Sequence, residues 1–254
     1  MPRVRLDSLL AERGLYESRT RAAAAVIAGQ VFLAPGRRRA EKPGQLVDPQ
    51  VELEIDGPPP YVSRGGVKLA NALDALGIDV SGRAALDVGA STGGFTDCLL
   101  QRGAEHVVAL DVAYGELDYR LREHQRVTVI ERVNARALTA DQLPYAPNLI
   151  VMDVSFISLT KVLPAVLACA AEEFDCLAMV KPQFEVGKDR VGMGGVVRDP
   201  DLRREAVQSV ADAAEAAVMG SAPSALAGPS GNRETFLWLA EAGRPGAVSE
   251  VEAW

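Results

Sequence analysis

The chain has 254 residues, 48% of them hydrophobic and 24% charged, enough for one large or two modest cores. Three cysteines without paired or metal-type spacing, with only two histidines, argue against a disulfide scaffold and against a His/Cys metal centre. The net charge of −7 hides an asymmetry: residues 1–45 hold nine Lys/Arg against four Asp/Glu, and the remainder hold 18 against 30.

Arg3, Arg5 and Asp7 interrupt any apolar run at the start, so no secretory signal is expected, and no later run reaches transmembrane length. Residues 5–14 place Leu6, Leu9 and Leu10 on one side of a short amphipathic helix ended by Gly14. Ser18 caps a second helix, residues 19–28, which Gly29 stops and which carries Arg19 and Arg21 near its start. Val31, Phe32 and Leu33 read as strand. Arg37, Arg38, Arg39 and Lys42 read as a basic loop, and Val47 to Ile55 returns to alternation. Two small helices followed by short strands, with arginines at the second helix and the next loop, predict an RNA-facing unit. Such cations contact phosphates and supply affinity rather than sequence reading. The prolines of GPPP, residues 57–60, cannot continue a helix or a central strand. The expected division is therefore a small α+β domain over 1–57, a linker over 58–62 and a larger domain over 63–254.

In the larger domain a helix begins near Gly66, with Val67, Ala70, Leu73 and Leu76 at helical spacing and Lys68 near its start. Strands are expected at 84–88, 106–111, 127–131, 148–153 and 176–181, and helices at 92–102, about 158–170 and 200–218. The alternation predicts an α/β, Rossmann-like, doubly wound and mostly parallel sheet. Phe236, Leu237 and Leu239 follow a Gly/Pro/Ser-rich loop and form a closing strand, antiparallel in the expected arrangement.

Residues 85–95, ALDVGASTGGF, read as buried strand, glycine turn and helix start, with Thr92 or Ser91 as helix cap. In such sheets this turn lies where ligands bind. The spacing is not that of the dinucleotide fingerprint, because Ser91 stands where the glycine that approaches a pyrophosphate belongs. A ligand without pyrophosphate fits better. Gly89, Ser91, Gly93 and Gly94 are the expected contacts to its amino-acid end. Asp111 closes the second strand as an acceptor for ribose hydroxyls, and Asn134 is a candidate near the base. Asp153 ends LIVMD and Lys181 ends LAMVK, which brings both to the same sheet edge. Desolvation there favours a neutral lysine, and a carboxylate beside it favours the ammonium. Glu234 stands in PSGNRETF at the start of the closing strand.

Lys68, Asp153, Lys181 and Glu234 resemble, in order and context, the Lys-Asp-Lys-Glu tetrad of FtsJ-type ribose 2′-O-methyltransferases. SRGGVKL, DVGASTGGFT, MDVSFISL, VKPQFEVGK and GPSGN together are similar to the TlyA family, also called hemolysin A. RLDSLLAERG and SRTRAAAAVIAGQVFL resemble the S4-type RNA-binding domain that precedes catalysis in that family. The resemblance covers nearly the whole chain. It implies a class I methyltransferase fold and a cytoplasmic enzyme that uses S-adenosylmethionine to methylate cytidine 2′-hydroxyls in 16S or 23S ribosomal RNA, or both. Its partners would be rRNA and ribosomal subunits, with no membrane, no metal and no obligate protein partner. On this reading Lys181 steers the hydroxyl, Asp153 holds Lys181, and Lys68 and Glu234 complete the network. Arg19, Arg21, Arg37, Arg38, Arg39 and Arg64 face RNA. Tyr61 stands where family members often carry a tryptophan. Three readings compete: a nicotinamide oxidoreductase, a non-catalytic RNA-binding protein and a membrane-lytic hemolysin. Ser91 weighs against the first, the intact tetrad against the second, and the lack of a membrane-type segment against the third.

Overall fold

In the computed structural model of the protein, residues 3–57, 60–228 and 230–254 are described. The chain divides into two units, Met1–Pro60 and Tyr61–Trp254. Pro58 and Pro59, in the expected linker, lie outside the described residues.

The first unit contains β1 (Val4–Arg5), α1 (Leu6–Glu12), α2 (Arg19–Ala28), β2 (Val31–Leu33), β3 (Arg38–Arg39), β4 (Leu46–Val47) and β5 (Leu53–Ile55). The Ser18 hydroxyl accepts from the Arg21 N–H at 3.2 Å, and Gly29 ends α2 in the left-handed region at φ 77°. Leu6, Leu10, Ala22, Val26 and Val31 meet in a small core. β1 pairs with β4, and β2 pairs with both β3 and β5, all antiparallel. Arg38 and Arg39 therefore belong to a short strand, opposite Leu33 and Phe32, and not to a loop.

The second unit contains α3 (Arg64–Leu76), β6 (Ala84–Val88), α4 (Gly94–Gln101), β7 (His106–Asp111), α5 (Tyr119–Arg122), β8 (Val127–Glu131) and β9 (Leu149–Met152). It continues with α6 (Leu163–Leu167), β10 (Asp175–Val180), α7 (Pro182–Glu185), α8 (Pro200–Ala213), β11 (Ala217–Pro223) and β12 (Thr235–Ala240). Seven strands form one sheet in the order β11-β12-β10-β9-β6-β7-β8. β12 runs antiparallel to both neighbours, and β6 to β10 are parallel. Strand residues alternate between two cores. Leu86, Val88, Ile150 and Met152 pack with Leu163 and Val166 of α6 and Val207 and Val210 of α8. Ala85 and Val151 pack on the other face with Leu69 and Leu73 of α3 and Leu99 of α4. Each fully buried leucine or isoleucine contributes about 2 kcal/mol, so these two layers fix the sheet.

Two expected helices are shorter than their patterns. Residues 158–170 break into a 3-10 turn, Leu159–Lys161, and α6, whose first turn holds Pro164. The expected helix 200–218 stops at Ala213. Glu215 turns the chain at φ 50°, and Ala217 opens β11, which pairs with β12. The far edge of the sheet is held by charge: Asp175 accepts from Arg83 at 2.9 Å, Arg244 at 2.5 Å and the Trp238 indole at 2.9 Å.

Candidate active site

The parallel strands end at one edge, and antiparallel β12 begins at that edge. The residues after β6, β9 and β10 (Gly89, Asp153 and Lys181) therefore gather with Glu234, which precedes β12. The turn after β6 is built for close approach. Gly89 lies at φ 87°, and a Cβ there would sit 2.7 Å from the Asp153 carbonyl oxygen. Ser91 lies at φ 47°. Its N–H donates to Asp111 Oδ2 at 2.7 Å, and the Ala113 N–H donates to Asp111 Oδ1 at 2.8 Å. Its hydroxyl donates to Glu116 at 3.1 Å. Asp111 thus holds the turn as well as lining the cavity beside it.

The cap of α4 is Gly93 at φ 94°, without a side-chain hydrogen bond, so neither Ser91 nor Thr92 caps this helix. The reason is the tight turn, which commits the Ser91 hydroxyl to Glu116. At Gly94 a Cβ would lie 2.1 Å from Ser63 Oγ and 2.9 Å from the Gly66 nitrogen, so the starts of α3 and α4 meet backbone to backbone. That contact sets Lys68, little more than a turn into α3 after its Ser63 cap, at the rim of the glycine turn. Tyr61 has its ring against Gly66, where a Cβ would fall 2.4 Å from a ring carbon.

Two ion pairs occupy the site. Lys68 pairs with Glu234, and both are buried, at 7% and 3% exposure. Lys181 pairs with Asp153, and its Nζ also donates to Ser155 Oγ at 2.8 Å. All five side chains line one cavity of about 340 Å³ together with Arg64, Gly89 and Gly94. A second cavity of about 480 Å³ is lined by Asp111, Glu116, Asn134 and Phe156. The two share Gly89, Ser91, Asp153 and Ser155, so they form one elongated cleft.

Asp87 lies beneath the turn and is fully buried. Its Oδ2 accepts from Thr96 Oγ1 at 2.7 Å and its Oδ1 has no partner. Burial pushes this carboxyl up to about 7, despite the Thr96 hydrogen bond, and the charge of Asp153 adds to the rise.

The cleft gathers Lys68, Asp153, Lys181 and Glu234 with Gly89, Ser91, Gly94, Asp111, Asn134 and Arg64. Gly93 supports from behind, where a Cβ would meet Leu121 at 2.3 Å. Asn134 also accepts from the Arg136 N–H at 3.1 Å, the ordinary chemistry of a turn. In the first unit Arg19, Arg21, Arg38 and Arg39 are exposed. Arg19 lies 3.7 Å from Asp7. Arg37 is committed within its unit: it pairs with Glu54 at 3.0 Å and Asp56 at 2.5 Å and stacks over Phe32 at 4.4 Å.

Four functional candidates escaped the sequence reading. Ser155 and Phe156 follow Asp153; Phe156 is 92% exposed, at φ 64°, with its ring 5.5 Å from that of Phe184. Gly228 leaves room for Glu234, because a Cβ there would lie 2.6 Å from Oε1. Asn232 is buried and ties the loop after α7 to the Glu234 turn, accepting from the Val197 N–H at 2.9 Å and donating to the Gly195 carbonyl at 2.8 Å. The repeated glycines and the GPSGN run were the available signals for the last two.

A larger open groove, about 990 Å³, lies along α8 and the C-terminal segment; Asp201, Glu205, Glu250 and Glu252 line it and none of the motif residues do. Among the described residues no group of three or more His, Cys, Asp or Glu side chains is placed to hold a metal, and no helix is long and apolar enough to cross a membrane.

Known proteins resemble this chain in sequence and in fold. The model of the FtsJ-like methyltransferase family matches residues 61–241. TlyA of Mycobacterium tuberculosis, a 16S/23S rRNA (cytidine-2′-O)-methyltransferase, is 50% identical over 242 residues, covering 93% of this chain and 90% of the relative. Hemolysin A of Brachyspira hyodysenteriae is 40% identical over 203 residues, covering 80% of this chain and 84% of its own. A solved structure from Streptococcus thermophilus that carries the hemolysin name superposes with a TM-score of 0.73 at 38% identity, covering 96% of this chain and 90% of that one. The chain belongs to the FtsJ-like methyltransferase family, in its TlyA group.

Proposed function

We propose that this protein transfers a methyl group from S-adenosylmethionine to the 2′-hydroxyl of cytidine in ribosomal RNA, of the small subunit, the large subunit or both. One observation carries the reading: the two lysine–carboxylate pairs line a cavity that runs into a second one floored by the glycine turn and Asp111. The second cavity fits the donor. Gly89 and Ser91 leave backbone room at one end, and Asp111 and Glu116 offer acceptors for a ribose diol at the other. Bound there, the donor supplies an electrophilic methyl on a sulfonium.

The side chains then position and desolvate the acceptor oxygen, which supports most of the acceleration in an in-line displacement. Lys181 donates to or accepts from the 2′-oxygen. To take the proton it would have to give up its ion pair with Asp153. Orienting the oxygen while the proton leaves to water is therefore the step this geometry supports best. Lys68 and Glu234 neutralise each other at the back of the cavity and present a fixed dipole to the ribose. Arg64, at the mouth, meets a phosphate. Residues 1–57 form an S4-like RNA-binding domain in which Arg19, Arg21, Arg38 and Arg39 contact phosphates. Residues 58–62 link it to the methyltransferase domain, 63–254. A ribosomal substrate implies work in the cytoplasm.

Lys181→Ala tests the assignment. It should bind S-adenosylmethionine as the wild type does in equilibrium titration and lose methyl transfer to ribosomal subunits. Near-normal turnover would remove Lys181 from the mechanism.

A further inference from the structure

We propose that Ser155 is a positioning residue for methyl transfer: its hydroxyl is the second anchor that fixes the Lys181 nitrogen against the acceptor oxygen. This rests on the reading of Lys181 given above. A lysine nitrogen sits on a flexible four-carbon stem, and a single ion pair lets it pivot. Here Asp153 supplies the ion pair and Ser155 accepts an N–H at 2.8 Å. The ion pair and the hydrogen bond together restrain the nitrogen from two sides. An N–H not given to Ser155 stays available to the acceptor oxygen.

The loop holding Ser155 is itself locked to the segment holding Lys181. At one end β9 pairs with β10, Met152 lying opposite Ala178. At the other, Glu185 of α7, four residues after Lys181, accepts from Ser158 Oγ at 2.6 Å and from the Leu159 N–H at 2.9 Å. Phe156 meets Phe184 between these ties. The distance from Ser155 to Lys181 is therefore set by a closed frame and not by two independent loops. Ser155 lines both cavities, at the junction where methyl and oxygen would meet. Its oxygen accepts from Lys181, so its own O–H remains to donate, and no acceptor for it occurs among the described residues.

Ser155→Ala and Ser155→Thr in the full chain test this. The alanine variant should lower kcat about tenfold or more, the usual loss when a hydrogen bond to a charged group disappears from a transition state. KM for the donor and for the ribosomal subunit should change less than about twofold, because the anchor acts on the nitrogen and not on binding. Threonine, which keeps the hydroxyl, should restore most of kcat. The chain has five lysines, Lys42, Lys68, Lys161, Lys181 and Lys188, so side-chain ammonium spectra of nitrogen-labelled protein are tractable. The Lys181 signal, assigned with Lys181→Arg, should exchange faster in Ser155→Ala and recover in Ser155→Thr. A wild-type kcat in Ser155→Ala, a loss that threonine does not restore, or an unchanged Lys181 signal would overturn the proposal. Lys181→Ala run beside them separates the two ideas: if it is active the Lys181 reading fails, and if it is inactive while Ser155→Ala is normal only the anchor fails.

Discussion

Replacing Lys68 by Met and Glu234 by Leu, singly and together, separates what the buried pair does for chemistry from what it does for the fold. The two side chains are 7% and 3% exposed and each is the other's ion-pair partner. Removing one leaves a charge in a low-dielectric site, which typically costs about 3–5 kcal/mol. Removing both lifts the desolvation of two ions together with their attraction, and for apolar replacements of similar volume the net change is about zero or a gain of up to about 4 kcal/mol. Each single variant should therefore unfold at clearly lower denaturant, and the double variant should return to wild-type stability or above it. Both tryptophans, Trp238 and Trp254, lie in the second unit, so fluorescence-monitored urea unfolding reports on the domain that holds the pair. Activity should not follow stability back. All three variants should lose methyl transfer by about 100-fold or more, the scale of a misplaced acceptor, and the double should recover none of it. Costs that simply add in the double variant would show that the pair is not energetically coupled. A stable double variant with normal turnover would show that the pair is structural filling.

Asp87→Asn should change the shape of the pH–stability curve. The folded carboxyl is raised from 3.8 to about 7, so between those values the native state keeps a proton that the unfolded chain releases. This penalty is absent below about pH 4, grows as pH rises to about 7 and is constant above. Relative to wild type, the asparagine variant should gain on the order of 4 kcal/mol at most between pH 4 and pH 8, and parallel curves would refute the burial argument. In the first unit, Arg38→Gln with Arg39→Gln should lower the salt slope of rRNA binding by about 1.4, as expected for two lost phosphate contacts on single-stranded RNA. Arg37→Gln, whose wild-type guanidinium is held by Glu54 and Asp56, should lower the slope far less; an equal drop would show that those pairs open on binding.

Much of the sheet was legible because its strands are short apolar runs between turn signals, and because Asp111, Asp153 and Lys181 each stand at the end of one. The tetrad was legible as a set of contexts whose strand order brings them to one edge. What was not legible depended on distant partners. The run AAVMGSAP after α8 has an alanine-rich start that suits a helix, and only pairing with β12 makes it a strand. Arg37 reads as a free cation until the fold places residues 54 and 56 beside it. Ser91 reads as a helix cap until the turn commits it to Glu116, leaving Gly93 as the cap. Ser155 carries no signal of its own: a serine after an acid is ordinary until β10 delivers Lys181 to it. The strand position of Asp87 was readable, but its buried, half-partnered state was not.

The most direct test of the account is tritiated methyl transfer from S-adenosylmethionine to ribosomal subunits prepared from cells lacking this gene, followed by mapping of the labelled nucleotide. The account predicts label on the 2′-oxygen of cytidine, blocking alkaline cleavage at that position, and none with Lys181→Ala at equal donor binding. Label on a base, or none from the wild-type protein on either subunit, would contradict it.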